Sequence, residues 1–191
     1  LPLVGRYQLA NCVNAVETLL ALRGRGMNIP DSAIVRGIGE TFFPVRMEVV
    51  SRRPAVILDG AHNESGAAAL SGALEGLVPG RLVILIGMMK DKDVRHSISK
   101  TLPLAERVYT VEPLDNPRAM PSDELAALAR EYCPDVRSWG KDLDGAFAEA
   151  YDSLSPEDTL LVCGSLYVAS DLRRTARSFF ESRQIPHSPH L

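Results

Sequence analysis

The sequence predicts an α/β protein with a Rossmann-like, doubly wound sheet that is mainly parallel and carries helices on both faces. Short apolar segments such as Ala55–Leu58 and Leu82–Ile86 alternate along the chain with longer segments of helical periodicity. Continuous apolar segments of this length are typical of strands that are buried on both faces of a parallel sheet. The helical segments between them are about ten to fifteen residues long, which favours βαβ units.

The first 43 residues lack this alternation and are predicted to form two helices. Apolar residues recur at helical spacing through residues 8–23, and two glycines follow them as a helix stop. A proline and an aspartate then begin a shorter helix over residues 31–38. The irregular segment 41–46, with two phenylalanines before a proline, marks a boundary that divides the chain into residues 1–43 and 44–191.

Strands and helices alternate from this boundary onward. The predicted strands are residues 46–50, 55–58, 82–86, 107–111, 136–139 and 159–163. The predicted helices are residues 64–77, 93–102, 121–132, 143–154 and 165–183. The polar residues 51–53 are expected to form the turn between the first two strands. Residues 184–191, with two prolines and two histidines, are predicted to be frayed.

The bulk composition excludes several classes of protein. The chain has 191 residues, a hydrophobic share of 46% and a formal net charge of −3, so there is no basic surface for nucleic acid. No apolar run approaches the roughly 18 residues of a membrane span, and the N-terminus lacks the pattern of a signal peptide. Three cysteines without metal-like spacing indicate reduced thiols in a cytoplasmic protein.

The common nucleotide-binding motifs are absent. Gly140-Lys141 has no glycine five residues before it, so it is not a P-loop. Gly26 is followed by Ile29 where a dinucleotide fingerprint requires a third glycine. No His or Cys cluster has zinc spacing. The sequence therefore predicts a Rossmann-like shape without a Rossmann cofactor signature.

The strongest functional signal is polar chemistry at the carboxyl ends of three apolar strands, because ligands bind at that edge of an open α/β sheet. The loops after the second, third and last strands carry these polar residues: Asp59, His62 and Asn63; Lys90, Asp91, Lys92 and Asp93; and Ser165 and Tyr167. If the sheet is parallel, all three loops face the same way. The site would then combine a carboxylate, an imidazole, an ammonium group and a hydroxyl.

Each of these side chains also has a purely structural interpretation. Asp59 could hydrogen-bond the turn in which it lies. Asn63 and Ser165 could cap the helices that follow them. His62 could be an ordinary loop histidine, and Lys92 could belong to a solvated charged turn. The occurrence of all three polar sets at one edge favours a ligand site.

Six short motifs together resemble the C-terminal portion of the folylpolyglutamate synthase family, including its form that is bifunctional with dihydrofolate synthase, within the Mur ligase superfamily. The resemblance covers nearly the whole chain. The motifs are Gly5-Arg6-Tyr7-Gln8-x-x-Asn11, Phe43-Pro44-Val45-Arg46-Met47-Glu48, Asp59-Gly60-Ala61-His62-Asn63, Asp91-Lys92-Asp93, Pro117-Arg118-Ala119 and Gly164-Ser165-Leu166-Tyr167.

The resemblance implies an ATP-dependent ligase that forms amide bonds. In such an enzyme ATP phosphorylates a carboxylate of the folate, and the amine of L-glutamate attacks the acyl phosphate through a tetrahedral intermediate. The products are the glutamylated folate, ADP and phosphate. Clustered phosphate and carboxylate charges require cationic groups and Mg²⁺, and the amine must be held in line with the acyl carbon.

The resemblance also implies a role for particular residues at the ATP. Asn11 would hydrogen-bond the adenine, Arg46 would contact the phosphates, and Asp59 would bind the ribose hydroxyls. A guanidinium fork suits the bidentate geometry of phosphate oxygens. The structural alternatives are that Asn11 is only a polar residue near a helix N-terminus and that Arg46 is an exposed charge on a strand.

At the incoming glutamate, the resemblance implies that His62 is the catalytic residue of this chain, near the reacting centre. It would orient the amine or stabilise developing charge. Lys92 and Ser165 resemble positions that hold the carboxylates of the amino acid in related ligases. No metal-binding residue is expected in this chain.

The resemblance places the P-loop, the Mg²⁺ ligands and most of the folate-binding loops in an N-terminal ATPase domain outside these residues. Residues 1–43 would be the last helices of that domain, and residues 44–191 the C-terminal glutamate ligase domain. The absence of an initiator methionine agrees with a longer parent protein. We therefore expect the chain to need its own ATPase domain as a partner, to have no ligase activity alone, and to bind ATP weakly.

Two other functions remain open at this point. A Mur-type peptide ligase that acts on a UDP-muramyl acceptor would share the same domain, and only the form of the Asp-Gly-Ala-His-Asn turn and of Gly-Ser-Leu-Tyr favours folate. A freestanding Rossmann-like binding or regulatory module without catalysis is the alternative from another class. An upstream P-loop in the parent gene would distinguish the ligases from that module.

Overall fold

The computed structural model describes all of residues 1–191, which form six strands and seven α-helices. The strands are β1 (Glu48–Arg52), β2 (Ala55–Leu58), β3 (Leu82–Ile86), β4 (Arg107–Thr110), β5 (Val136–Ser138) and β6 (Thr159–Cys163). The helices are α1 (Tyr7–Gly24), α2 (Asp31–Gly39), α3 (Glu64–Leu74), α4 (Val94–Thr101), α5 (Ser122–Ala129), α6 (Leu143–Asp152) and α7 (Leu166–Ser182). A short 3₁₀ helix, Leu102–Leu104, follows α4.

The six strands form one sheet in the order β1-β2-β6-β3-β4-β5. All neighbouring pairs from β2 to β5 are parallel, which confirms the predicted sheet. The strand β6 lies between β2 and β3 although it comes last in the chain. As a result, the three loops singled out in the sequence follow three adjacent strands.

The first strand departs from the prediction in its position and in its direction. It begins two residues later than expected, at Glu48, and it runs antiparallel to β2. The segment 51–53, which was predicted to be a turn, mostly continues the strand, and only residues 53 and 54 form the connection. So short a connection permits only an antiparallel pair, because parallel strands require a crossover of a dozen or more residues.

Helices cover both faces of the sheet, as predicted, and each face has its own hydrophobic core. One core joins α6 and α7 to the sheet, and the other joins α3, α4 and α5 to the opposite face. Alternate residues of β6 divide between the two cores: Leu160 and Val162 belong to the first, and Leu161 and Cys163 to the second. This alternation explains why the strand has a continuous apolar sequence.

The two N-terminal helices agree with their predicted positions and remain largely uncovered. Leu9, Val13 and Leu20 on α1 are 62%, 58% and 42% exposed. The start of this region reaches the sheet, because Val4 and Tyr7 pack against the core on the α3 side. No helix of the chain is both long enough and apolar enough to cross a membrane.

The prediction that residues 184–191 fray was wrong, because this segment packs along the exposed edge of β1. The Ser188 N–H donates to the Val50 carbonyl at 2.8 Å. The ring of His187 stacks on Phe180 with 5.7 Å between centroids, and Leu191 is only 2% exposed. An edge strand leaves backbone groups unpaired, and Ser188 pairs with one of them, the Val50 carbonyl.

Candidate active site

The carboxyl ends of β2, β6 and β3 meet at one edge of the sheet, as the sequence predicted. The Gly164 N–H, after β6, donates to the Ala61 carbonyl, after β2, at 3.1 Å. Gly164 has φ +101°, and a Cβ there would lie 2.7 Å from the Gly87 carbonyl oxygen in the loop after β3. Only glycine permits this conformation and this approach of the three loops.

Asp59 is buried at this edge, with only 4% of its surface exposed, and it hydrogen-bonds the backbone on both sides. Its Oδ2 accepts the Met47 N–H and its Oδ1 accepts the Ala61 N–H, each at 2.8 Å. Burial raises the pKa of Asp59, and this outweighs the opposing effects of those two N–H groups and of the Arg46 and His62 charges. The structural interpretation of Asp59 as a group that hydrogen-bonds its turn is confirmed, and its contact with ribose stays a prediction.

Arg46 lies in a left-handed turn before β1 and not on a strand, which corrects its predicted location. Its neighbours Val45 and Met47 have φ 52° and 47°, a region in which non-glycine residues cost on the order of 1–3 kcal/mol each. The turn therefore requires external support. Two buried carboxylates supply it, since the Val45 N–H donates to Glu48 Oε2 and the Met47 N–H donates to Asp59 Oδ2, both at 2.8 Å.

The guanidinium of Arg46 is exposed and lies over the ring of Tyr7 at 5.7 Å from the centroid. This cation–π contact joins the start of α1 to the sheet edge. Burial and the charge of Asp59 raise the pKa of Tyr7, and Arg46 and Gln8 oppose that rise. Asn11, one turn further along α1, donates to Gln8 Oε1 at 2.9 Å, a bond that stays within the helix. The structure thus brings Arg46 to the edge but leaves Asn11 on an exposed part of α1.

A cleft of about 830 Å³ opens beside Arg46, between the N-terminal region and the β1 edge of the sheet. Its lining includes Leu3, Phe42, Phe43, Arg46, Arg52 and His190. The rings of Phe42 and His190, which both line the cleft, lie 4.9 Å apart, so the segment that covers β1 also forms part of the cleft wall. A volume of this size is typical of ligand pockets.

His62 is half-buried, and its ring is oriented by its own turn. Its Nδ1 lies 2.9 Å from the Gly60 carbonyl oxygen, which can only accept a hydrogen bond. The Nδ1 atom must therefore carry the proton, and in the neutral ring Nε2 is a free acceptor. The next residue, Asn63, caps α3 through a 2.8 Å bond from the Gly66 N–H, which confirms its structural interpretation.

Lys92 lies on the exposed loop after β3, and its two neighbouring aspartates are engaged elsewhere. Asp91 pairs with Arg118 at 3.1 Å, and Asp93 pairs with His96 at 2.7 Å. The ammonium group of Lys92 is consequently free to bind an anion.

Ser165 caps α7, because its Oγ accepts the Val168 N–H at 3.1 Å. The residue is 2% exposed, so its structural interpretation is confirmed and its predicted contact with a glutamate carboxylate stays a prediction. Tyr167, two residues further, is 51% exposed at the same edge.

Arg118, in the loop after β4, is a candidate site residue for which the sequence predicted no role. Its guanidinium lies 5.9 Å from the centroid of the Tyr167 ring and donates to the Tyr167 hydroxyl at 3.4 Å. The Lys90 N–H donates to the Arg118 carbonyl at 2.8 Å, so the loops after β3 and β4 are joined. The Pro117-Arg118-Ala119 motif was the available signal, but its loop was not among the three that we expected at the edge.

Comparisons with known proteins identify the family to which a chain with this fold and this polar sheet edge belongs. The Mur ligase, glutamate ligase domain family matches residues 45–166, and the chain belongs to this family. The match begins at the turn that holds Arg46 and ends at the first residue of α7. It therefore includes the polar loops after β2, β3, β4 and β6.

Particular relatives are folate enzymes. The dihydrofolate synthase/folylpolyglutamate synthase of Escherichia coli is 33% identical over 82% of this chain and 36% of its own length. The folylpolyglutamate synthase of Lacticaseibacillus casei is 30% identical over 91% of this chain and 39% of its own length. The chain thus spans less than two fifths of either relative.

Solved structures of such enzymes share the fold. The E. coli FolC structure in complex with DHPP and ADP has a TM-score of 0.78 at 30% identity, over 96% of this chain and 41% of that one. The Mycobacterium tuberculosis folylpolyglutamate synthase complexed with ADP and AMPPCP has a TM-score of 0.80 at 27% identity, over 94% of this chain and 41% of that one.

Proposed function

We propose that this chain is the C-terminal part of an ATP-dependent folylpolyglutamate synthase, either the form that acts on folates alone or the form that is bifunctional with dihydrofolate synthase. The observation that carries this proposal is the polar edge built by the Asp59-Gly60-Ala61-His62 turn, with Lys92 and Arg118 on the neighbouring loops. Its support is that relatives named for this activity align over most of the chain at 30–33% identity. No feature of the structure favours a UDP-muramyl acceptor over a folate.

The reaction requires that a folate carboxylate be phosphorylated by ATP and then attacked by the amine of L-glutamate. The new C–N bond forms first and gives a tetrahedral intermediate. The C–O bond to the phosphate then breaks, and the leaving phosphate takes the bonding electrons. The attacking amine must lose a proton, and the free Nε2 of His62 is an acceptor with suitable chemistry. His62 would thus position the amine and receive its proton as the tetrahedral intermediate forms.

The ATP would bind where α1, the 45–47 turn and the end of β2 approach one another. Arg46 would contact the phosphates, because its guanidinium is exposed and makes no ion pair within the chain. Asp59 would bind the ribose hydroxyls through the second lone pairs of its oxygens. Asn11 would reach the adenine from α1, and the side-chain amide of Asn11 is exposed there.

The glutamate would bind on the other side of His62, between the loops after β3, β4 and β6. Lys92 would provide a free cation for one of its carboxylates. Arg118, which also pairs with Asp91, would provide the cation for the other while it rests against Tyr167. Ser165 would contribute a hydroxyl proton, since its Oγ already accepts the Val168 N–H. This arrangement separates nucleotide and amino acid while both face the same imidazole.

Mg²⁺ would come to this site with groups from outside the chain. No three His, Cys, Asp or Glu side chains converge in this structure to form a metal site. The residues present therefore do not fit a Mg²⁺ shell by themselves. We propose that the metal ligands belong to the ATPase domain of the enzyme.

We further propose that residues 1–43 are the last helices of that ATPase domain and that residues 44–191 are the glutamate ligase domain. The exposed apolar residues Leu9, Val13 and Leu20 on α1 support this division, because they are a surface suited to further packing. The beginning of the family match at residue 45 is consistent with it. The chain alone should then have no ligase activity and should bind ATP weakly.

The enzyme would act in the cytoplasm. All three cysteines, Cys12, Cys133 and Cys163, are free thiols. Free thiols are typical of a reducing compartment.

The test is incorporation of labelled L-glutamate by the enzyme that contains this chain, with ATP and a set of acceptors. We expect transfer to dihydropteroate or reduced folate with release of ADP, and no transfer by the 191-residue chain alone. Transfer to UDP-muramyl acceptors but to no folate would overturn the proposal. The same assay with Arg118→Lys, at several glutamate concentrations, reports whether the glutamate site lies at this edge.

A further inference from the structure

The turn that displays Arg46 is held from inside the protein by a buried ion pair. Glu48 has a side chain that is 4% exposed, and its Oε2 accepts the N–H of Val45, the residue before Arg46, at 2.8 Å. Because Val45 has φ 52°, this bond holds a β-branched residue in a conformation that it otherwise avoids. Glu48 thus acts on the backbone next to Arg46 and not on its side chain.

Arg173, on α7, holds Glu48 in turn. Its Nε lies 3.1 and 3.0 Å from the two carboxylate oxygens of Glu48, and its Nη2 lies 2.9 Å from Oε1. The side chain of Arg173 is 20% exposed. Two further N–H groups, one on Nη1 and one on Nη2, donate to the backbone carbonyls of Leu191 and His190. Four of the five N–H groups of the guanidinium are therefore directed to the Glu48 carboxylate or to the segment that covers β1.

The same helix begins at the glutamate side of the proposed site. Ser165 caps α7, and Arg173 lies about two turns further along it. A rigid helix consequently connects the cap near the proposed glutamate site to the ion pair behind the proposed phosphate contact. The other side of the turn is held by Asp59, which accepts the Met47 N–H.

We propose that Glu48 and Arg173 are positioning residues that fix the 45–47 turn, so that the guanidinium of Arg46 meets the nucleotide phosphates without a change in backbone. This inference rests on the proposed function of Arg46. A buried ion pair is a poor device for stability alone, because desolvation offsets much of its attraction. Here the Glu48 carboxylate accepts the backbone N–H of Val45, the residue immediately before the exposed Arg46.

The first experiment is a double-mutant cycle in the enzyme that contains this chain. Glu48→Gln and Arg46→Ala are made singly and together, and the KM for ATP, kcat and the thermal unfolding midpoint are measured for each. We expect Glu48→Gln to raise the KM for ATP about three- to tenfold, and to add nothing in the Arg46→Ala background. The midpoint should fall by the same amount in both backgrounds.

Matched controls and a second variant complete the cycle. Glu157→Gln and Arg174→Lys change exposed residues, 61% and 73% by side chain, and should leave the KM for ATP unchanged. Arg173→Lys keeps the charge but loses the planar fork of the guanidinium. If Glu48→Gln does not fold, Arg173→Lys replaces it in the cycle. Additive effects on the KM would overturn the inference and leave the role of Arg46 intact. An unchanged KM in Arg46→Ala would instead overturn the proposed phosphate contact.

Amide hydrogen exchange tests the turn independently of any activity measurement. In the unaltered enzyme the Val45 and Met47 amides should exchange at least about tenfold more slowly than the Arg46 amide, since each donates to a buried carboxylate. In Glu48→Gln only the Val45 amide should lose protection, while Met47, held by Asp59, keeps it. A Val45 amide that exchanges as fast as that of Arg46 would refute the support by Glu48.

Discussion

An aspartate is buried at each end of the parallel strands. One lies at the amino ends of the strands, here called the amino edge, and the other at their carboxyl ends, the carboxyl edge. The two carboxylates are held by different kinds of partner. Asp158, just before β6 at the amino edge, is 4% exposed and lies 2.7 Å from Arg81 Nη2. It also accepts the N–H groups of Arg81 and Ser155 at 2.9 and 2.7 Å. Asp59, just after β2 at the carboxyl edge, is equally buried but accepts only two backbone N–H groups.

The pKa values of Asp158 and Asp59 are shifted in opposite directions, in agreement with this difference. Burial raises the pKa of Asp158, but the hydrogen bonds from Arg81 and Ser155 outweigh it and the net shift is downward. Burial also raises the pKa of Asp59, and there it prevails. The amino edge is thus internally neutralised, whereas the carboxyl edge buries a carboxylate without an ion pair and leaves cations beside it. The first arrangement serves stability and the second suits a ligand.

The largest effect should come from His62 at the carboxyl edge. We expect His62→Ala to lower kcat for glutamate transfer about 100-fold in the whole enzyme, because positioning and proton acceptance are lost together. The KM for ATP should change little, and so should the unfolding midpoint. His96→Ala, on a side chain 64% exposed at the surface of α4, is the control. Equal losses in kcat and nucleotide affinity would assign His62 to the ATP instead.

Arg46→Ala should raise the KM for ATP about 30-fold, since hydrogen bonds to charged groups contribute about 1.5–3 kcal/mol. The unfolding midpoint should fall only slightly, because the guanidinium has no ion pair within the chain and loses only its exposed cation–π contact with Tyr7. Arg174→Ala, an exposed arginine on α7, serves as the comparison in the same steady-state assay. Unchanged ATP kinetics would show that Arg46 does not meet the phosphates.

Asp158→Asn tests the amino edge and should reverse this pattern. We expect a loss of about 1.5 kcal/mol in unfolding free energy, or about 3–6 °C in the unfolding midpoint, because the charge that Arg81 binds is removed. Glutamate transfer at a temperature where both proteins are folded should stay at the unaltered rate. Asp31→Asn, whose side chain is 86% exposed, controls for a change of net charge. A loss of turnover without a loss of stability would contradict the division between the edges.

Arg118→Lys should raise the KM for glutamate about fivefold and leave the KM for ATP unchanged, because lysine keeps the charge but not the planar fork. Initial rates at varied glutamate and saturating ATP measure this effect. The exposed Arg95, whose side chain is 57% exposed, provides the corresponding control as Arg95→Lys. If the KM for ATP rose instead, Arg118 would belong to the nucleotide side of the site.

The smallest expected effect is on the pH dependence of the unfolding free energy, to which Asp158 and Asp59 should contribute slopes of opposite sign. The lowered pKa of Asp158 contributes stability above the unfolded value of about 3.9, and that contribution disappears as the pH falls through the folded pKa. The raised pKa of Asp59 acts in the other direction, because its contribution is present below about 3.9 and disappears as the pH rises through the folded pKa.

Chemical unfolding between about pH 3 and pH 6 measures both slopes. The difference in unfolding free energy between the unaltered chain and Asp158→Asn should shrink as the pH falls. The difference between the unaltered chain and Asp59→Asn should grow over the same range. Parallel slopes would mean that the two aspartates are held alike.

The sequence predicted the buried part of the fold better than its margins. The strands Ala55–Leu58, Leu82–Ile86 and Thr159–Cys163 have the predicted bounds, because burial on both faces requires a continuous apolar sequence. Residues 184–191 were expected to fray, yet they pack on β1 through contacts with residues more than 100 positions earlier. Local composition does not carry such long-range packing.

The candidate site was predicted as a set of loops but not in its details. The shared edge of Asp59, His62 and Ser165 follows from a parallel sheet, and the structure confirms it. The left-handed turn at Val45 and Met47 could not be read from residues that rarely adopt it, because carboxylates elsewhere in the fold impose it. Arg118 was missed because its loop follows β4, one strand further along the sheet.

The position of β6 also determines when the site can exist during synthesis. This strand is the last of the six to leave the ribosome, yet it lies between β2 and β3. The loop after β6 joins the loops that follow β2 and β3. Until residues 159–165 have emerged, the two halves of the binding edge have no strand to connect them, and the Ala61 carbonyl lacks the Gly164 N–H. A nascent or truncated chain that stops before β6 therefore lacks the strand that brings the loops of the proposed site together.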